Sequence, residues 1–595
     1  MADQQHTTPE APAPYAEADL LLHGGEIVTV AEPPTAEAVA VKDGVIVFVG
    51  GHAEAVDRWH GPRTKVRDLG GRALLPGFID AHGHLGGIGL QATIANLLAD
   101  PDGDVTDIAS LQEKLRAWAE TEVGQESEWI IGFGYDDAIL TDGRHPTRDD
   151  LDDVSTTRPV LAIHQSFHLG AVNSLGLAAL GYGADTPDPE GGVIRRRELA
   201  VEPSHGEPNG VLEETAFNPA SAAALGGLPE AVQLGLFAKG AESAASFGFT
   251  TVQEGGTTLT NLAALREIAA AAPFEIDVVA YARADQATAA VLDRDADRDP
   301  VGASREYVNG VRAAGVKLYL DGSPQGRTAW LTKPYKTPPD GQPDDYCGYP
   351  TVPDDAAVVR QVRTAYEQGW QVLAHVNGDA SIDQFIGAVR AATAAAGPGD
   401  RRTVAIHAQT AREDQINDFA LLRIIPSFFS MHTFYWGDWY RKTVLGEERA
   451  ATISPARWAL DRRIAYTSHH DAPVALPNSI AILASQVTRR TRTDQVVLGP
   501  EQCVSALDAV RAITINAAHQ YFEQDSKGSI EVGKLADLVV LSANPVTVDP
   551  EKIRHIEVAE TLKAGRTVHP VDAARATAAT PERTPPLDHH WHCNC

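Results

Sequence analysis

A chain of 595 residues with a formal net charge of −30 repels phosphate backbones and anionic lipid, which argues against nucleic-acid and membrane-surface partners. Hydrophobic residues make up 43%, enough for a large core, and no apolar run reaches the ~20 residues that a membrane helix needs. Four cysteines, Cys347, Cys503, Cys593 and Cys595, form no disulfide framework in so long a chain, so a reducing cytoplasm is the expected setting.

Residues 1–17 are rich in Pro, Ala and Glu and have neither a basic start nor an apolar segment. They read as a disordered leader and not as a signal peptide. Residues 18–75 carry short β-patterned runs punctuated by glycine, DLLLHGGEIVTV and EAVAVKDGVIVFVGG. Residues 527–572 have the same texture in GSIEVGKLADLVVLSANP and HIEVAETLKAGRTV. Both ends therefore predict one small β-domain, with residues 76–526 folded as a long insert. Within the insert, strands are expected near 77–81, 129–132, 159–164, 250–253, 315–320, 371–375, 403–407, 423–427 and 464–468. Alanine-rich helical stretches alternate with them. Strand–helix repetition predicts a parallel sheet with helices outside, and at this length a (β/α)8 barrel is favoured, with chemistry at the C-terminal strand ends. The Pro-, Gly- and charge-rich region near 180–215 reads as an insertion. Residues 573–595 read as a flexible tail, whose HHWHCNC ending is metal-capable only by residue type.

The chemistry starts at LLPGFIDAHGHL. His82 and His84 are two apart, so on a strand they share a face and can hold one divalent metal. Alone, such a pair is also an ordinary feature of a strand end. Four more strand ends carry polar groups after apolar residues: VKLYLDGS with Lys317 and Asp321, VLAHVNGD with His375, VAIHAQ with His407, and AYTSHHDAPV with Asp471. Together they point to a metal site, because imidazole and carboxylate suit divalent ions. Lys317 is costly to bury as a cation. It either pairs with an acid, such as Asp321, or reacts with carbon dioxide to give a carbamate that bridges two metals. Residues 427–440, SFFSMHTFYWGDWY, include His432 and Trp436 and should rim the pocket. They suggest a substrate with an apolar or aromatic group; the alternative is a loop packed on the insertion. Of His469 and His470, one is expected beside the metal ligands and the other in packing. No GxSxG elbow, dinucleotide fingerprint or phosphate loop is present.

The motifs PGFIDAHGHL, WIIGFGYDD with HPTRDDLD, FHLGAVNSLGL, GVLEE, VKLYLDGSPQGRTAWL, AHVNGD, AIHAQ, TSHHDAPV and KLADLVVL act in combination. From about residue 18 to 568 the chain resembles the amidohydrolase superfamily, and within it the YtcJ-like (amidohydrolase-3) branch, whose best-known activity is that of N-substituted formamide deformylase. The resemblance implies an α/β fold: a (β/α)8 TIM-like barrel with a small β-sandwich domain built from both chain ends. It makes His82 and His84 ligands of the more buried metal, and His375 and His407 ligands of a second. Lys317 becomes a bridging N6-carboxylysine, and Asp471 the final-strand carboxylate that touches metal and takes the proton from water. His168 matches a position that enters the site; Asp321, His432, Trp436 and His470 join it as pocket candidates. The implied cofactor is one or two divalent ions, most simply zinc. The implied reaction is hydrolysis of a C–N bond in an amide or N-substituted formamide, by metal-activated water with Asp471 as general base and then acid. Deamination, or lactone or carbamate hydrolysis, stays open on the same site. So does a non-catalytic regulatory or binding protein that kept the barrel. The partner is a small molecule, and a homodimer is compatible.

Overall fold

The structure is a computed structural model that describes residues 17–570, apart from 138, 190, 198–205, 294–298 and 340–341. The expected leader (except Glu17) and the 573–595 tail with its HHWHCNC ending lie outside the described residues.

Eight parallel strands form the central sheet, in the order Phe78–Ile79, Phe249–Thr257, Asp277–Arg283, Val311–Tyr319, Gln371–Val376, Val404–His407, Ile425–Phe428 and Thr467–Ser468. The first and last strands are short. Past their ends the backbone closes the ring, with Asp471 N–H donating to His82 O (3.3 Å) and His84 N–H to Ala472 O (3.0 Å). The result is a TIM-like barrel with a further β-domain. Alternation along each strand sorts the side chains. Val279, Tyr281, Leu373, Val404 and Ile406 pack in one interior cluster. Val278, Ala280, Val316, Leu318, Val372, Ala374 and Val376 pack against the outer helices. Lys317 lies between Val316 and Leu318, so it points inward, and His375 shares the inward face of Leu373.

The third barrel strand, DVVAYAR, was not expected from the sequence. It is embedded in alanine-rich helical sequence, and its own two alanines weaken the β signal. Conversely, the runs expected at 129–132 and 159–164 are strands of a different sheet. This sheet has six strands, ordered Gly192–Arg196, Pro208–Glu214, Leu169–Val172, Val160–His164, Ile130–Tyr135 and Ala95–Asn96. It has its own core, including Leu97, Leu115, Phe133, Leu161 and Phe217, and lies wholly between the first and second barrel strands in sequence. The region near 180–215 is only its distal hairpin. Periodicity identifies a strand but not its sheet, which long-range pairing decides.

The chain ends meet where Ala73–Pro76 pairs antiparallel with Leu538–Leu541. The sheet extends from there through Leu20–Val28, Thr35–Lys42 and Val45–Gly50 on one side, and through Val558–Lys563 and Arg566–His569 on the other. Leu22, Val39, Ile46, Leu74, Leu538 and Leu562 pack together on it. Gly77 carries the chain from this sheet into the barrel, where a Cβ would fall 2.5 Å from Thr250 Cγ2. Below the barrel, Asp277 meets Lys527 and Lys563, each at 2.5 Å, and Lys563 also meets Asp537 at 2.7 Å. This buried network joins the third barrel strand to the β-domain.

Candidate metal centre

Every expected ligand reaches the barrel mouth and is buried: Lys317, His82 and His375 are 1% exposed, His407 and Asp471 2%. His82 Nε2 is 3.2 Å and His84 Nε2 3.6 Å from Asp471 Oδ1, and His407 Nε2 is 3.9 Å from Asp471 Oδ2. His407 and Asp471 take left-handed backbone conformations, with φ of 68° and 54°. Such strain in non-glycine residues persists only where surroundings hold it, commonly at active sites.

The hydrogen bonds fix which nitrogen of His82 carries its proton. Gln253 Nε2 donates to Ala81 O (3.0 Å) and to the Tyr521 hydroxyl (2.7 Å), so its Oε1 is the acceptor facing His82 Nδ1 at 2.6 Å. Nδ1 therefore bears the hydrogen and Nε2 presents a lone pair toward Asp471 Oδ1. That carboxylate oxygen is buried without a hydrogen-bond partner. Two electron-rich atoms facing one another in a buried site fit a cation held between them. Burial, with Lys317 second, holds the His82 imidazole down to about 3. Burial likewise lowers His375 to about 3, and it drives His407 and His469 well below the usual imidazole range. Burial opposes ionisation of Asp471, but His407, His82 and His84 outweigh it and hold its carboxyl well below the usual range. Neutral imidazoles around an ionised carboxylate are the donor set of a divalent-metal site.

Lys317 Nζ is 2.8 Å from the same His82 Nε2. Asp321, the acid expected as its partner, accepts the backbone N–H groups of Asn377 (2.9 Å), Gly378 (2.7 Å) and Trp330 (3.0 Å). Burial still pushes the Asp321 carboxyl up to about 7. Asp321 thus ties the loop after the fourth strand to the loop after the fifth, 3.8 Å from His375 Nε2. His432 and Trp436 form an aromatic wall with Phe429, whose ring centroid lies 4.1 Å from that of His432 and 5.5 Å from that of His469. His470 turns away, with Nε2 3.3 Å from Asp80 Oδ1 and Nδ1 accepting the Ala472 N–H. His168 sits on the inserted sheet, with Nδ1 3.0 Å from Glu214 Oε2, and not in the histidine cluster.

Sequence reading missed Gln253 and Glu254, although VQEGG ends the second barrel strand with the same apolar-to-polar step as the ligands. Glu254 Oε2 accepts the Gly86 N–H at 3.0 Å and so anchors the start of the helix Leu85–Gln91 beside His84. A cavity opens from His84 between barrel and inserted sheet. Leu90, Phe167, Leu225, Leu228 and Leu236 wall it, with Glu254, Asn261 and Arg283 at its polar end. Asn261 Oδ1 is buried there without a hydrogen-bond partner. A separate group, Asp136, Asp137 and His164, stands at strand ends of the inserted sheet. His164 Nδ1 accepts the Ser166 backbone N–H, so Nε2 carries the proton toward Asp137 Oδ1 at 3.2 Å, a closed His–Asp pair.

A family model described as the amidohydrolase family matches residues 65–569. YtcJ of Bacillus subtilis (strain 168) is 28% identical over 570 residues, covering 92% of this chain and 98% of that protein. The N-substituted formamide deformylase of Arthrobacter pascens is 28% identical over 565 residues, covering 92% and 97%. Among solved structures, an uncharacterized metal-dependent hydrolase from Pyrococcus horikoshii OT3 superposes with a TM-score of 0.69 at 22% identity, covering 89% of this chain and 99% of that one. That likeness is one of fold.

Proposed function

The chain belongs to the amidohydrolase family and is a hydrolase; on that premise we propose that it cleaves the C–N bond of an N-substituted formamide or related amide, using one or two zinc ions at the His82–His84–Asp471 cluster. The observation that carries this reading is the unpartnered Asp471 Oδ1 facing the His82 lone pair at 3.2 Å. A divalent ion held there supplies Lewis acidity, easing deprotonation of water and polarising the substrate carbonyl. Asp471 accepts the proton from the attacking water and returns it to the leaving nitrogen, acting as base and then acid. His82, His84 and, further round the mouth, His375 and His407 are the ligand candidates.

Lys317 becomes a carbamate in this reading. As an ammonium 2.8 Å from His82 Nε2, it would donate to the lone pair that the metal requires. Once the ammonium has given up a proton, the free amine adds CO2 at Nζ and releases a second proton to solvent, which removes that competition and supplies an anion in its place. A native mass spectrum checks this, because the carbamate adds one CO2 per chain; a bare amine beside a single bound ion counts against it. The amine half of the substrate carries an apolar substituent, lodged in the leucine-walled cavity beside His84, where Glu254 and Asn261 Oδ1 accept N–H groups. The aromatic wall of Phe429, His432 and Trp436 closes the other side.

The test is a panel of N-alkyl and N-aryl formamides and amides, together with lactones, carbamates and exocyclic amines. Product analysis should find equal amounts of amine and carboxylate from the formamides or amides. Ammonia from the exocyclic amines alone, or turnover of lactones alone, would replace this reading with deamination or ester-type hydrolysis.

A further inference from the structure

Asp471 holds a left-handed backbone, with φ of 54°, although it is not a glycine. Such a conformation persists only where neighbouring groups fix it, and the imidazole one residue earlier is such a group. His470 Nδ1 accepts the Ala472 N–H at 2.9 Å. That bond, from a side chain to the backbone two residues on, closes a turn centred on Asp471, as asparagine and aspartate side chains do in Asx-turns. On the other side of the turn, the Asp471 carbonyl accepts the Val474 N–H at 2.9 Å.

Because Nδ1 is the acceptor, Nε2 carries the hydrogen of the ring. It stands 3.3 Å from Asp80 Oδ1, off the line of a hydrogen bond, with both side chains fully buried. The same Oδ1 accepts the His82 N–H at 3.0 Å, and Asp80 Oδ2 accepts the Gln253 N–H at 3.3 Å. One carboxylate oxygen thus serves both the turn that carries Asp471 and the backbone that carries His82. Gly83, between the two histidines, leaves room for the pair: a Cβ there would fall 2.7 Å from Asp80 Oδ2 and 2.8 Å from His470 Cε1. The Phe249 ring packs on the imidazole, with centroids 5.2 Å apart. Neither Asp80 nor His470 joins a group of mutually close metal donors among the described residues.

Resting on the metal-hydrolase reading above, we infer that His470 is a positioning residue: with Asp80 it holds Asp471 in its left-handed turn and so sets the 3.2 Å gap between His82 Nε2 and Asp471 Oδ1 that is offered to the cation. It touches neither metal nor substrate. Without the imidazole, relaxation of Asp471 to the ordinary extended region swings its carboxylate away from His82.

Zinc alone is the probe. Chelator competition on folded, metal-free chains should show zinc affinity about 10–100-fold lower in His470→Leu, the usual cost of losing an outer partner of metal ligands. His470→Asn restores an acceptor two residues before the Ala472 N–H and should recover most of that loss. A side chain that only fills space predicts the reverse order, since leucine has the bulk of the imidazole and asparagine does not. Wild-type affinity in His470→Leu overturns the inference, and so does an Asn variant no better than Leu. Crystals of the metal-free variants give a second reading. Asp471 should leave its φ near 54° in His470→Leu and keep it in His470→Asn; an unmoved Asp471 in the Leu variant overturns the inference. If His470→Leu does not fold, Asp80→Ala cuts the link from the first strand. Zinc affinity should then fall by a similar factor, and unchanged affinity counts against the assignment. A wild type that binds no zinc rejects the metal reading, while the crystal comparison still decides what holds Asp471.

Discussion

His82 Nε2 and Asp471 Oδ1 face one another 3.2 Å apart with no proton between them, because the Gln253 amide has placed the imidazole hydrogen on Nδ1. Two predictions belong to this pair. Asp471→Asn keeps an oxygen at the site but removes the base. Turnover should fall by about 10²–10⁴-fold, the usual worth of general-base catalysis, with metal content far less affected. Near-normal turnover would remove Asp471 from that role. Gln253→Ala frees the His82 tautomer, so metal affinity in chelator titrations should weaken by about 10–100-fold without loss of the fold. Residues at this scale were legible where chemistry and spacing coincided, as in His82-x-His84 and the terminal Asp471. Gln253 was not, and which of His469 and His470 stands beside the ligands stayed open, because each acts through a partner far away in sequence. Gln253 reaches His82 across 171 positions and His469 reaches His407 across 62. Lys317 was legible as an anomaly, a lysine in an apolar strand, but only the outward packing of Val316 and Leu318 fixes its direction.

At the scale of elements, the network beneath the barrel holds the β-domain on the third strand. Burial opposes ionisation of Asp277, but Lys563 and Lys527 outweigh it and hold the carboxyl low. A carboxylate depressed in the folded state stabilises fully above its unfolded value of about 4. That stability is lost as pH falls through the lower folded value. Asp277→Asn should cost ~3–5 kcal/mol at neutral pH by leaving two buried ammonium groups short of a carboxylate. It should also flatten the acid limb of a Tm-versus-pH curve. An unchanged limb would show that other carboxylates govern acid unfolding. The inserted sheet supplies the second test of an element. Leu228 lines the same cavity as His84, so Leu228→Phe should raise KM for substrates with bulky N-substituents and spare those with N-methyl. Equal effects on both would place the substituent elsewhere. The sequence foretold strands and helices here better than their grouping. The runs at 129–132 and 159–164 have the texture of barrel strands, yet Ile130–Tyr135 and Val160–His164 pair with each other and not with the barrel.

For the whole molecule, the two chain ends close one sheet and the barrel carries every ligand candidate at one mouth, so the fold brings together donors from residue 82 to residue 471. That convergence was foreshadowed by the order of polar strand ends. Phe167 and the leucines 225, 228 and 236 line one cavity with His84, and no local pattern in the chain announces that the inserted sheet contributes to it. The measurement that bears most directly on the proposed metal-dependent hydrolysis is amine release from an N-substituted formamide by one preparation in three states: as purified, stripped by chelator, and restored with zinc. The account predicts release that vanishes on stripping and returns with zinc in proportion to the metal bound. Release that is indifferent to stripping, in protein verified to be metal-free, would contradict it.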